Sequence, residues 1–207
     1  MPSCVNETKD HFAHKSKSWD MNSRRVKNAK AVADAILRNI KLDKTMRVMD
    51  LGAGTGLLSY FIAPHVGEIV ALDNSPSMLE VFKEKSAEFA CPTRILQADI
   101  EQDHVDEYYD GIISSMTLHH IADIAALFKK LYAMLHPGGF LAIADLDTED
   151  GSFHSEDTGV HHFGFDREAL ASLARQAGFE HIRFETASII EKPHGNFPVF
   201  LMTARKS

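Results

Sequence analysis

Three glycines alternate in Asp50-Leu51-Gly52-Ala53-Gly54-Thr55-Gly56, directly after the apolar run Met46-Arg47-Val48-Met49. Between a buried strand and a helix, glycine permits a tight turn and removes the side chain that would hold a ligand off the backbone. The helix start then offers free N–H groups to a negative group. That chemistry suits a small ligand with an anionic end, although glycines alone also fit a purely structural turn. Two carboxylates strengthen the site reading: Asp73 closes the next apolar run, 21 positions after Gly52, and Asp99 closes the one after that. In an open α/β sheet the ligand crevice lies outside the carboxyl ends of the strands, where a carboxylate after the second strand can accept both hydroxyls of a ribose. Either aspartate taken singly fits a helix cap; three signals at strand ends point to a site. A dinucleotide fingerprint, G-x-G-x-x-G, requires glycine at position 57, where this chain has Leu57, so the spacing argues against a pyrophosphate ligand.

The elements that must position these residues alternate along the chain. Val26, Ala29, Ala33, Ile36 and Ile40 recur at helical spacing and predict an amphipathic helix from Asn22 to Ile40. Its other face, with Arg24, Arg25, Lys27, Lys30 and Arg38, reads as a solvated surface. Strands are expected at 46–51, 68–72, 93–97, 111–115 and 140–144, separated by helices from Leu57 to about Val66, after the Ser75-Pro76 cap, and from Asp123 to Leu135. His136-Pro137-Gly138-Gly139 is expected to close that last helix. A helix from Asp166 to Ala177 precedes strands from about His181 to Glu191 and from Val199 to Ala204, whose short connection forces an antiparallel hairpin. The whole reads as one α/β domain around a mainly parallel sheet.

Composition excludes other classes. The chain has 207 residues with 44% hydrophobic and 25% charged, ordinary for a globular domain. A net charge of −7 disfavours nucleic acid and anionic membranes as partners. Cys4 and Cys91 are too few for a disulfide framework or a thiolate metal cage, which suits a reducing compartment. No run approaches the roughly 18 apolar residues of a membrane span, and the first twenty residues carry no export signal, so a cytoplasmic protein is expected. No feature sets an oligomeric state.

In their order, Asp50 to Gly56, Leu72-Asp73, Ala98-Asp99-Ile100, Tyr109 to Ser115, Leu118-His119-His120-Ile121 and Leu135 to Gly139 resemble the motifs of class I S-adenosylmethionine-dependent methyltransferases. The likeness covers about residues 46–145 and is greatest to the small-molecule, ubiquinone-biosynthesis-like branch. It implies a Rossmann-like three-layer α/β/α sandwich with a seven-stranded sheet, the last strand inserted antiparallel between strands five and six. It also implies S-adenosyl-L-methionine as cofactor and a small-molecule methyl acceptor. By the same resemblance Gly52, Ala53, Gly54 and Gly56 pass beneath the methionine end, and Asp50 steadies that end. Asp73 holds the ribose hydroxyls, with Asn74 and Met78 near ribose and adenine. Asp99 meets the adenine amino group between Ala98 and Ile100, and Ser115 approaches the methionine amino group or the methyl.

Methyl transfer from a sulfonium is an in-line displacement, so the protein chiefly aligns the reactants and excludes water. A hydroxyl or thiol acceptor must also lose a proton, and His119 or His120, after strand four, is placed to take it. The bland alternative is that this pair orients a turn. Asp145, Asp147, His154, His161 and His162 form a second group on the same rim, able to bind the acceptor, or a metal, or neither. The resemblance implies that residues 1–40 form an N-terminal helical arm or lid of the one domain, with Phe12 and Trp19 either over the acceptor pocket or simply packed. Two other functions stay open: a nicotinamide-dependent oxidoreductase, and a methyltransferase-like subunit that holds cofactor without turnover.

Overall fold

The short apolar runs form the central strands of the computed structural model, which describes residues 23–154 and 159–207. In chain order the strands are β1 (Arg47–Leu51), β2 (Glu68–Asp73), β3 (Thr93–Gln97), β4 (Tyr109–Ser115), β5 (Leu135–Leu146), β6 (Phe179–Lys192) and β7 (Gly195–Lys206). They make one sheet in the order β3-β2-β1-β4-β5-β7-β6. The first five are parallel, while β7 runs antiparallel between β5 and β6. Strand order therefore reverses between β1 and β4, and such a switch point opens a crevice beyond the carboxyl ends of the strands.

Helices α1 (Ser23–Asn39), α2 (Leu57–Ile62), α3 (Pro76–Ser86), α4 (Ile124–Ala133) and α5 (Arg167–Gln176) cover the sheet. Their starts follow the sequence signals: Ser75, Asp123 and Asp166 accept the backbone N–H groups of Met78, Ala126 and Ala169. Alternating residues of each strand face opposite layers. Val48, Ile69, Ile113 and Ala142 pack with α1 and α2, and Ala71 meets Leu79 and Phe82 of α3. Met49, Val70, Ile112 and Leu141 pack with α4 and α5. The result is a Rossmann-like α/β/α sandwich with an antiparallel carboxyl-terminal hairpin.

Three local expectations need correction. The segment Leu135 to Gly139 is not a helix-closing turn; it belongs to β5, with the register slipping between the Tyr109–Leu135 and Gly111–Phe140 pairs. The Pro-Gly-Gly run supplies a bulge there instead of a separate loop. The helix after β1 ends sooner than expected, at Ile62, and continues as a 3-10 turn over Ala63–His65. The hairpin is tighter than expected: Lys192 pairs with Gly195, leaving Pro193 and His194 as the turn. Phe12, Trp19 and the remainder of the arm up to residue 22 lie outside the described residues, as do 155–158 of the histidine-rich loop. Among the described residues no helix is long and apolar enough to cross a membrane.

Candidate functional site

A cavity of about 740 Å3 opens at the switch point. Asp73, at the end of β2, forms part of its wall and braces the glycine turn: Oδ2 accepts the Gly54 amide at 2.8 Å and Oδ1 accepts the Ser75 amide at 2.9 Å. Gly54 has φ +54°, and a Cβ built on it would meet nothing within 4 Å, so its missing side chain faces open space. Gly52 and Ala53 also line the cavity, and a Cβ at Gly52 would fall 2.2 Å from Thr117 Oγ1. That glycine lets the chain after β4 close against the first turn. Gly56 lies elsewhere. It does not line the cavity, and a Cβ there would sit 2.7 Å from Phe82 Cδ2, so it serves the packing of the turn on α3.

Asp50 shares the face of Val48, which turns it toward α2, where its Oδ2 accepts the Ser59 hydroxyl at 2.6 Å. It is 1% exposed, and burial, with the nearby Asp73 charge, outweighs that hydrogen bond and pushes its pKa up to about 7. Asn74, Met78, Ala98, Asp99, Ile100 and Ser115 all border the same cavity. Ala98, Ile100 and Met78 are buried and make this part of the wall apolar, while Asp99 caps its own turn by accepting the Glu101 amide at 2.9 Å. Met116, just beyond β4, holds φ +58°, a conformation costly to a non-glycine residue, at the cavity wall.

His119 and His120 sit on a 3-10 turn, Leu118–His120, and border the same cavity. His119 Nδ1–H donates to Asp145 Oδ1 at 2.7 Å, and both residues are buried. Asp145 also accepts the Leu146 and His119 amides, so the carboxylate is held by three donors and fixes one imidazole tautomer. His120 Nδ1 pairs with the Gly159 carbonyl at 3.1 Å. His154 joins them, its ring 4.9 Å from that of His119 and 6.0 Å from that of His120. Its Nε2 is buried with no hydrogen-bond partner among the described residues, and burial plus the neighbouring imidazoles push its pKa down to about 4. Of the other expected rim residues, His161 borders the cavity, whereas His162 turns to the Ile121 carbonyl and Asp147 is held by two bonds from Arg167. No group of three His, Cys, Asp or Glu side chains able to hold a metal occurs among the described residues.

Sequence reasoning missed the outer wall. Arg24 and Arg25, read as solvated surface, line the cavity together with Lys192 and His194. The exposed-face reading suits Lys30, paired with Asp34, and Arg38, paired with Glu185. No short-range signal separates these two groups, because the contact that turns Arg24 inward is to Glu191, far along the chain.

A family model for a methyltransferase domain matches residues 23–183. An uncharacterized methyltransferase of Schizosaccharomyces pombe is 30% identical over 168 residues, 73% of this chain and 57% of its own length. Malonyl-[acyl-carrier protein] O-methyltransferase of Acetivibrio thermocellus is 31% identical over 142 residues, 65% of this chain and 47% of that protein. The chain thus spans about half the length of these curated relatives. Among solved structures, phosphoethanolamine N-methyltransferase 2 of Haemonchus contortus, in complex with S-adenosyl-L-methionine, has the same fold. Its TM-score is 0.67 at 17% identity, over 95% of this chain and 59% of that one.

Proposed function

We propose methyl transfer to a small-molecule acceptor as the function of this chain, which belongs to the class I S-adenosylmethionine-dependent methyltransferase family. The observation that carries the reading is the Asp73 carboxylate, bound to the Gly54 amide and exposed in the same cavity as the open face of Gly54. The residues fit the cofactor chemically: a carboxylate acceptor for ribose hydroxyls, an apolar slot for a flat ring, and bare backbone for the amino-acid end. S-adenosylmethionine, when bound, supplies a methyl carbon already activated by its sulfonium. Asp73 accepts the ribose hydroxyls, with Asn74 beside it. Met78, Ala98 and Ile100 hold the adenine, and Asp99 accepts a hydrogen bond from its amino group. Gly52, Ala53 and Gly54 support the methionine end, where Asp50 and Ser115 offer oxygens to the ammonium.

The chain's contribution to the reaction is alignment, exclusion of water and, for a protic acceptor, removal of a proton. His119 suits that last task. With Nδ1–H donated to Asp145, its Nε2 carries the lone pair, and it borders the cavity. The relatives' names divide between O- and N-transfer, and a hydroxyl or amine acceptor, unlike a carboxylate, would carry a proton for an imidazole to take. A nicotinamide-dependent oxidoreductase and a subunit without turnover gain no support from these matches.

Thermal unfolding with S-adenosylhomocysteine tests the reading. Ligand at 100 times its dissociation constant should add about 2.7 kcal/mol of stability. A shift with a nicotinamide dinucleotide and none with S-adenosylhomocysteine would overturn it.

A further inference from the structure

The cavity has two apolar walls, one from each layer of the sandwich. Ala98 and Ile100, assigned above to the adenine, belong to the core that the sheet shares with α4 and α5. Leu58 and Phe153 belong to the opposite core, shared with α1 and α2, and Met116 and Ile190 pack against it. These four come from α2, from the chain after β5, from the chain after β4 and from β6, and the cofactor reading uses none of them.

Met116 reaches the second wall through its backbone. Along β4 the side chains alternate, Ile112 toward one core and Ile113 toward the other. A regular continuation of the strand would put Met116 on the Ile112 side. Instead its φ of +58° turns it to the Ile113 side, and its N–H, donated to the Ala144 carbonyl at 2.9 Å, fixes the turn. A residue other than glycine stays in that conformation only where its surroundings enforce it, and such positions gather at functional sites. The outcome is an unbranched, adaptable apolar side chain next to Ser115, the residue placed at the methionine end of the cofactor.

The polar groups of the same rim hold the wall in place. Arg24 Nη1 donates to the Glu191 carbonyl at 3.2 Å, and Arg25 also interacts within the chain. Lys192 donates to the Phe153 carbonyl and lies over the Phe153 ring, within reach of the Glu149 charge, while His194 pairs with the Ser152 carbonyl at 2.9 Å. The Phe153 ring in turn meets those of His154 and Phe197 edge-on, at 4.8 and 5.2 Å. An apolar surface fixed in this way is ready for an apolar ligand group, whose burial there is favourable and needs little further ordering.

We propose that the methyl acceptor has an apolar hydrocarbon body, which packs against Leu58, Met116, Phe153 and Ile190, and that Met116 is a specificity-determining residue. This rests on the methyltransferase reading above and names its substrate class: a hydroxyl or amine borne on an apolar frame, with the protic group toward His119.

Calorimetric titration of the full chain, saturated with S-adenosylhomocysteine, tests it with 2-naphthol, an apolar frame bearing a hydroxyl, and with glycerol and inorganic phosphate, which lack such a frame. The parent should bind 2-naphthol, and glycerol and phosphate more weakly or not at all. Met116→Asn, chosen because asparagine tolerates a positive φ, should weaken 2-naphthol about tenfold or more, the worth of one buried apolar side chain, and Ile190→Thr about threefold. Both variants should keep the parent's S-adenosylhomocysteine affinity; should Met116→Asn not fold, Ile190→Thr carries the comparison. No binding of 2-naphthol, tighter binding of glycerol or phosphate, or equal 2-naphthol binding by parent and variants would overturn the proposal. So would a loss of S-adenosylhomocysteine affinity in Met116→Asn with 2-naphthol binding intact, since that assigns Met116 to the cofactor. Should the parent fail to bind S-adenosylhomocysteine, the methyltransferase reading falls. The 2-naphthol titration repeated without it then still decides whether the apolar wall takes such a frame.

Discussion

Asp73 Oδ2 accepts the Gly54 amide at 2.8 Å, so the carboxylate after β2 and the glycine turn after β1 form one rigid unit. Asp73→Ala should lose twice, the brace on the turn and the acceptor for ribose hydroxyls. Hydrogen bonds to a charged group contribute about 1.5–3 kcal/mol, so S-adenosylhomocysteine affinity should fall by roughly 10- to 100-fold, read by calorimetry. Asp73→Asn keeps one acceptor oxygen and should lose less. Parent-like affinity in Asp73→Ala would remove the ribose assignment.

The buried His119–Asp145 pair makes a separable prediction. His119→Gln should lower kcat by roughly 100- to 10,000-fold with an acceptor that turns over in the parent, the usual worth of a general base. Binding of S-adenosylhomocysteine should hold. Asp145→Ala strips a carboxylate from three donors, and those left buried should cost at least about 2 kcal/mol in urea unfolding. A His119→Gln enzyme with full kcat would show that the histidine merely orients its turn.

Asp50 should give the ligand-free protein a pH-dependent weakness. Its pKa rises on folding from 3.8 to about 7, so the folded state binds the proton more tightly than the unfolded chain. Stability from this group is complete below pH 3.8 and is lost as pH rises through about 7, by at most about 4 kcal/mol. His154 has the opposite sign: its pKa falls from 6.5 to about 4, so its contribution is present above 6.5 and lost toward 4. Over about pH 4 to 6.5 the two slopes oppose each other, so Asp50→Asn should unmask in denaturant titrations the gain in stability with rising pH that His154 contributes. An unchanged pH profile would mean that Asp50 is ionised in the fold.

Where local chemistry decided a structure, the sequence was readable. The β3 strand Thr93–Gln97 and the caps Ser75, Asp123 and Asp166 depend on residues a few positions apart. The positions of Asp73 and Asp99 were legible because a parallel strand delivers its carboxyl end, or the residues just past it, to one rim. The His119–Asp145 pair was half legible: both residues follow or end neighbouring strands, but only the pairing of Ser115 with Ala144 brings them together. Arg24 beside Glu191 was hidden, because that contact joins residues 167 positions apart through the packing of α1 on β6. The segment Leu135–Gly139 misled for another reason. Its turn-forming residues are real, but backbone pairing with β4 resumes at once on either side and draws them into the strand.

Gly54 and Gly56 look equivalent in sequence and should fail in opposite ways. Both hold positive φ, +54° and +84°, so alanine is strained at either position by roughly 1–2 kcal/mol. At Gly56 the new methyl would also lie 2.7 Å from Phe82, a fully buried ring, and overpacking adds about 1–3 kcal/mol. Gly56→Ala should therefore lower the urea midpoint markedly, yet bind S-adenosylhomocysteine as the parent does, since Gly56 does not border the cavity. At Gly54 the methyl meets no protein atom within 4 Å and enters the space proposed for the cofactor. Gly54→Ala should unfold only slightly earlier but lose affinity by about tenfold or more, the cost of a misplaced contact. If Gly56→Ala were the variant that lost affinity, the cofactor would lie deeper in the turn than the cavity now implies.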